Sequence, residues 1–577
     1  MIAFRLSSVM FLMISLGIAQ VDGGFGQGTV GTSTNQPPRA GQPNAEPPKE
    51  QPPASIEGQV VNAVTGEPIK RASLILVPAN QSRPDASPFM TTSDANGHFA
   101  MTNITPGSYM LNAERTGYVR TSYGARGPMR PGTAITLAPS QSLKEIAFRL
   151  QPHAVISGRV LDEDGEPMAN VQVQVLTPRY MQGKKQLMPL GGGQTNDLGE
   201  YRVFGLAPGK YYVSATHQAM GMGFNAVDRS ANPNQMDEGY APTYYPGSHD
   251  LSAAVVVPVV AGRPVSNIDM KLLRIRTVRV RGKVVNPPGV GPGRTMVMLI
   301  PRESAGFTMF GRNMAAPQGR DGKFEIRSVT PGAYNVTAQY FDGTTRYASR
   351  TPIDVGNGNV EDVEIVLKPG MDISGTVRIE GETESKLGSI NVGLQPKEFG
   401  PMMVGGFTIV KDDGSFTIKN VSPDSYRIAV MGGQGMYTKS VYLGQQEAKD
   451  GEVTIADGAP PPMSIVLSAA GGQVSGQLKT EKEGVARGAM VVLVPTAEHR
   501  ENPQYFKFGS PDQYGKFNIT AIPPGDYTLY AWDNVETGAW QDPEFLARFQ
   551  NKGKNISVKE KDALTAELEL LKVEEGQ

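Results

Sequence analysis

The chain has 577 residues, of which 67 are Gly and 45 Pro, a share of helix breakers that excludes a helical bundle. Lys and Arg number 55 against 56 Asp and Glu, so no global field draws the chain to nucleic acid or to an anionic membrane. Cys is absent, which excludes disulfides, thiolate chemistry and every Cys-containing zinc site. With 39% hydrophobic residues there is enough apolar material for packed cores, and the length divides into three to five domains at about 100–200 residues each.

In chain order, the first segment is residues 1–19. Arg5 precedes an apolar run from Leu6 to Leu16, and small residues follow at Gly17 and Ala19. This is the pattern of a cleaved secretion signal; the run is too short to span a bilayer, which takes about 20 apolar residues. No later apolar run approaches that length, so no transmembrane segment is expected in the mature chain. Residues 20–54 turn to Gly, Gln, Thr and Pro, as in Gln36-Pro37-Pro38, and read as a disordered linker that buries no core. Export without Cys suits a periplasmic or extracellular, cell-surface location.

From there a single motif recurs five times: Gly, any residue, an aromatic, six residues, Pro, two residues, Tyr. The copies are Gly97-Phe99-Pro106-Tyr109, Gly199-Tyr201-Pro208-Tyr211, Gly322-Phe324-Pro331-Tyr334, Gly414-Phe416-Pro423-Tyr426 and Gly515-Phe517-Pro524-Tyr527. The prolines lie 102, 123, 92 and 101 residues apart, the size of a small β-sandwich. An Asp before each Gly (Asp94, Asp197, Asp321, Asp413, Asp512) supplies turn chemistry, with Gly free to take positive φ. The aromatic alternates with an apolar residue two places on, but the next apolar residue comes three later (Ile104, Leu206, Val329, Val421, Ile522). The strand must therefore bulge or end there. The Tyr is expected to bury its ring and tie its hydroxyl to nearby backbone.

Upstream of each copy lies a strand with a central Gly, such as Ile56-Gly58-Val60 and Val474-Gly476-Leu478, and each copy closes on a short alternating strand such as Ile146-Phe148-Leu150. About seven strands per copy with no helical stretch between them predict an all-β chain of five tandem antiparallel β-sandwich domains. The bounds read as 55–151, 152–274, 275–369, 370–470 and 471–577. Near the end, Asp542-Pro543 predicts one short helix through Phe549.

Together with Gly66-Glu67-Pro68 and Gly165-Glu166-Pro167 after the first strand, the Asp/Gly hairpin and the Pro-Gly-x-Tyr turn resemble the carboxypeptidase regulatory-like, or transthyretin-like, domains over about residues 55–574. The third to fifth copies lack Gly-Glu-Pro. The resemblance implies accessory folding or binding units, in tandem arrays similar to envelope proteins of bacteria. It implies no cofactor.

No catalytic site is expected. The five His (His98, His153, His217, His249, His499) are scattered, without zinc-ligand spacing, and no nucleophile elbow or phosphate loop occurs. Asp162-Glu163-Asp164-Gly165 reads as a hairpin turn rather than a calcium loop. Three features offer binding. An enlarged loop from His217 to Ser252 carries Met220, Met222, Phe224, Tyr240, Tyr244 and Tyr245, and Tyr123 with Arg126 echoes it in the first copy. These rings suit a sugar or a protein partner, or else pin the loop to its own domain. Arg279, Arg281 and Lys283 share one strand face and suit a polyanion, or else guard an edge strand against aggregation. Paired methionines such as Met402-Met403 read as gap fillers in β cores. The function expected is a non-catalytic secreted or envelope binding protein that presents loops to carbohydrate or an envelope protein. A purely structural spacer and an unrecognised hydrolase are the alternatives.

Overall fold

The structure is a computed structural model that describes residues 51–79, 88–128, 130–181, 183–217, 237–285, 295–302, 314–317, 321–341, 343–397, 406–479 and 487–573. Residues 1–50, which hold the expected signal and most of the expected linker, lie outside the described residues, as do Met220, Met222, Phe224, Met402 and Met403. What is described is almost entirely β, and the one α-helix among the described residues is Pro543–Ala547, where Asp542 caps the Glu544 N–H at 2.8 Å.

Each copy of the motif builds the same pair of sheets. In the first, the glycine strand (Ala54–Asn62) lies between the aromatic strand (His98–Ile104) and the closing strand (Ser142–Leu150). A second sheet carries Phe89–Thr92, Ser73–Pro78 and the tyrosine strand Gly107–Glu114. Ile56, Leu74, Phe99, Leu111 and Phe148, drawn from both sheets, bury themselves in one core. In the fifth, Gly472–Lys479 sits between Lys516–Ile522 and Ala563–Glu569, opposite a sheet of Lys507–Gly509, Met490–Pro495, Gly525–Trp532 and Lys554–Val558.

The sheets depart from a purely antiparallel arrangement at one place, and the departure recurs in every copy. The glycine strand runs parallel to the closing strand: Gly58↔Ile146, Val265↔Ile156, Gly282↔Val363, Gly375↔Met463 and Gly476↔Ala566. No hairpin can join these two strands, because the whole repeat separates them in sequence, and such a long crossover is what parallel pairing requires. Among the described residues every other pair of strands within a copy is antiparallel.

The central Gly has a steric reason that periodicity does not reveal. The motif aromatic sits directly opposite it, as in Gly58↔Phe99 and Gly476↔Phe517. A Cβ at Gly476 would run into the Ala566 carbonyl and come within 2.7 Å of Phe517 Cζ. The absent side chain makes room for the ring, and the ring covers the bare backbone.

The expected bulge is present in all five copies. The register of the glycine strand slips against the aromatic strand, and the residue at the slip takes positive φ: Asn103, Gly205, Ser328, Asn420 and Ala521. The tyrosines also behave alike. Each hydroxyl donates to the carbonyl four residues earlier, Tyr109 to Thr105 (2.6 Å), Tyr211 to Ala207 (2.6 Å), Tyr334 to Thr330 (2.9 Å), Tyr426 to Ser422 (2.8 Å) and Tyr527 to Pro523 (2.8 Å). The hairpin before the aromatic is capped by Asp94 and Asp512, as expected, but in the second copy by Asn196 rather than Asp197, because the capping position is three before the Gly.

Contacts also run between copies. Asp237–Tyr240, from the extension of the second copy, pairs antiparallel with Arg274–Val285 and so extends the sheet of the third. Arg346 and Arg350 reach Asn420 and Asp424 of the fourth copy, and His499 of the fifth meets Asp450 of the fourth at 3.0 Å while stacking on Tyr505. The fifth copy then returns to the first two, as described below.

Candidate binding surfaces

Tyr123 and Arg126 follow the tyrosine strand of the first copy, where an exposed aromatic and cation were expected. The structure instead buries the Tyr123 ring in the first core, edge-on to Phe148 at 6.3 Å. From outside, the Arg487 guanidinium of the fifth copy lies 5.6 Å from the ring centre. Arg126 reaches Asp533 at 2.9 Å and donates from Nε to the Arg487 carbonyl at 3.1 Å. Thr133, fully buried, accepts the Gly488 N–H at 2.8 Å. These two residues are therefore spent on a distant part of the same chain.

The same surface continues along a strand. Ile135–Leu137 is a short strand on the rim of the first copy's sheet, and Gln513 treats it as a neighbouring strand would. Gln513 Nε2 donates to the Thr136 carbonyl (2.7 Å), and its Oε1 accepts the Thr136 N–H (2.9 Å). Beside it, Ala134 forms a parallel bridge with Asp512, and Gln141 donates to the Tyr514 hydroxyl. An amide side chain here satisfies backbone groups that an open strand would leave for other chains.

The second copy meets the fifth through Arg179, 3.3 Å from Glu536, and through Tyr180. Tyr180 packs on a second apolar cluster of the fifth copy, built from Met490, Tyr530, Trp532, Trp540, Phe545 and Phe549. The short helix belongs to this cluster, which explains its position: it covers the outer face of the last sheet.

The described tyrosines of the second copy's loop are held by their own surroundings. Tyr240 donates to Glu163 (3.2 Å), accepts from Arg274 Nε (3.1 Å) and meets His217 edge-on at 5.2 Å. Tyr245 packs against the second core, its N–H donating to the Val213 carbonyl. Burial pushes the Tyr244 phenol above its ordinary pKa. Asp162 spends its carboxylate on the N–H groups of Asp164 and Glu166, which makes Asp162–Gly165 a turn.

Arg279, Arg281 and Lys283 lie on Arg274–Val285, which is an interior strand, paired on both sides, and not the edge strand considered from sequence. Arg279 is 4% exposed and 3.6 Å from Glu325. Arg281 meets Glu361 at 2.9 Å and Glu325 at 3.4 Å, and Lys283 meets Glu364 at 3.3 Å. Carboxylates on the two flanking strands face each cation, so the stripe is a row of cross-strand ion pairs rather than an open cationic surface.

Sequence reasoning missed two features. One is a buried hydroxyl just before the hairpin: Ser93 bridges the Ile69 carbonyl and the Ala72 N–H, and Thr195 bridges the Met168 carbonyl and the Val171 N–H. Its small polar type could have signalled it only by alignment of the copies. The other is a set of exposed apolar residues on the short third strand of four copies, Met90, Met314, Phe407 and Phe508. Among the described residues no group of three His, Asp or Glu is arranged to hold a metal ion, and no helix is long and apolar enough to cross a membrane.

Residues 55–151 and 155–229 each match the carboxypeptidase regulatory-like domain. The chain carries two such domains in tandem. The match takes in the copies that hold Gly-Glu-Pro, and the three copies after the carboxypeptidase regulatory-like pair share its motif tyrosine, bulge and glycine strand. No curated protein matches the chain. Among solved structures the Bacillus anthracis TIE protein is 13% identical, with a TM-score of 0.16, over 55% of this chain and 51% of that one, so the chain spans about half its length. GBS52, the minor pilin of Streptococcus agalactiae, is 13% identical with a TM-score of 0.23, over 39% of this chain and 97% of that one. BcpA, the major pilin subunit of Bacillus cereus, is 12% identical with a TM-score of 0.13, over 72% of this chain and 98% of that one.

Proposed function

We propose that this chain is an exported, non-catalytic protein of the cell envelope or cell surface, in which five sandwich units with the bounds given above form a body for contact with protein partners. The observation that carries this reading is the use the chain makes of its loops. Tyr123, Arg126, Thr133, Gln513 and Asp533 contact other copies of the motif, and the rings of Tyr240 and Tyr245 pack against their own unit. Loops spent on protein contacts favour a protein-binding and structural role over sugar recognition by those rings. The exposed apolar residues Met90, Phe407 and Phe508 are positions at which a partner protein would gain from burial.

The test combines fractionation with photocrosslinking. Full-length chain with a photoreactive residue in place of Met90 or Phe407 should be recovered outside the cytoplasm and joined to a discrete envelope protein. Retention in the cytoplasm, or turnover of a substrate in a hydrolase screen, rejects the reading. Glycan binding abolished by Tyr240→Ala would instead restore the carbohydrate alternative.

A further inference from the structure

The surface of the first copy and the face of the fifth that covers it are complementary in charge, hydrogen bonding and a cation–ring contact. Arg126 takes a carboxylate and a carbonyl, Thr133 takes an N–H, the Thr136 backbone takes an amide, and the Tyr123 ring takes a guanidinium. The donors and acceptors supplied by the fifth copy come from three separate stretches, at 487–488, 512–514 and 533. Only a folded unit presents them together, so a linear peptide is not the natural occupant. The two faces belong to opposite ends of the repeated region and differ from each other, which is the condition for a head-to-tail contact between identical chains.

We propose that this pair of faces is also an assembly interface, in which the fifth copy of one chain docks on the first copy of a second chain. The proposal rests on the protein-binding reading above and names the partner. In an isolated chain the tether holds the fifth copy at an effective concentration in the ~mM range, so the contact closes within the molecule. The chemistry of the contact is the same when the two faces come from different molecules. Exchange joins two chains reciprocally or links many in series, and the charged part of the contact weakens as salt rises.

Charge reversal separates the two modes. Arg126→Asp places two acids together within one chain, and Asp533→Arg places two cations together. Each variant alone loses the internal closure. In an equal mixture, complementary charges meet only between unlike chains. Because the sequence lacks Cys, Lys70→Cys and Ser557→Cys carry a dye pair without background labelling.

Energy transfer between these dyes should fall in each single variant and return in the Arg126→Asp/Asp533→Arg double variant. Light scattering should show monomers for each variant alone and a doubled mass for the mixture. Unchanged transfer in both single variants overturns the closure itself. Reduced transfer with a mixture that stays monomeric overturns assembly between copies, while the crosslinking result above stands untouched. Near-UV circular dichroism identifies any variant that fails to fold, and Arg126→Gln mixed with wild type then provides the second measurement: the same monomeric mass at every salt concentration, with transfer unchanged, also overturns the proposal.

Discussion

At the residue scale, the five equivalent bulges do not cost the same. Gly205 accepts positive φ freely, Asn103 and Asn420 tolerate it, and Ser328 and Ala521 hold it with an ordinary side chain. A left-handed alanine costs about 1–2 kcal/mol; a Gly variant removes that strain, and its greater unfolded-state entropy offsets part of the gain. Ala521→Gly should therefore stabilise the fifth copy by about 1 kcal/mol, measured as an upward shift in its denaturation midpoint. The motif tyrosine offers a second residue-level test. Burial, with Asp424 adding to it, pushes the Tyr426 pKa up to about 12. The phenol favours its neutral form when folded, so its stabilisation is complete below pH 10 and is lost as pH rises toward 12. Tyr426→Phe removes the bond to Ser422 at a cost of about 1 kcal/mol at neutral pH and flattens the decline between pH 10 and 12. Both tyrosine and bulge were legible: the Pro-x-x-Tyr spacing and the three-residue step to Val421 encode them locally.

At the scale of elements, the strands and turns follow from alternation and turn residues, but the choice of neighbour does not. Nothing in Ile56-Gly58-Val60 states that its partner is Ile146-Phe148-Leu150 or that the two run in parallel, because alternation records a face and not an adjacent strand. The Gly was visible as a repeated oddity; its cause lay in the carbonyl and ring brought against it by pairing. Gly476→Ala should cost about 1–3 kcal/mol, since the Cβ displaces either the Ala566 backbone or the Phe517 ring, and urea titration would record it. Loss of less than a few tenths would mean that the closing strand does not press on that position. The basic stripe shows the same limit. Arg279, Arg281 and Lys283 were seen on one strand, while Glu325, Glu361 and Glu364, which face them, are spread over two others.

On the scale of the whole molecule, the contact between the first and fifth copies was not legible, because its residues are separated by as many as 407 positions and follow no period. Tyr123 and Arg126 stood out in the sequence as an echo of Tyr244-Tyr245; in the structure Tyr123 lies in the first core and Arg126 pairs with Asp533 of the fifth copy. Thr133→Val tests this coupling across the sequence. It removes the acceptor of the Gly488 N–H at a buried site, which should cost about 1–3 kcal/mol. Hydrogen exchange at Gly488, in the fifth copy, should speed up even though the substitution lies in the first. Unchanged exchange there would mean that the two copies are energetically independent.

The parallel alignment of the first and last strands of each copy has a mechanical consequence. Tension applied at the two termini of such a unit pulls neighbouring strands in opposite directions along their length. The Gly476↔Ala566 ladder would then resist as a row of bonds sheared together, where an antiparallel terminal pair would peel one bond at a time. A chain built from these units is suited to bear load between two anchored points.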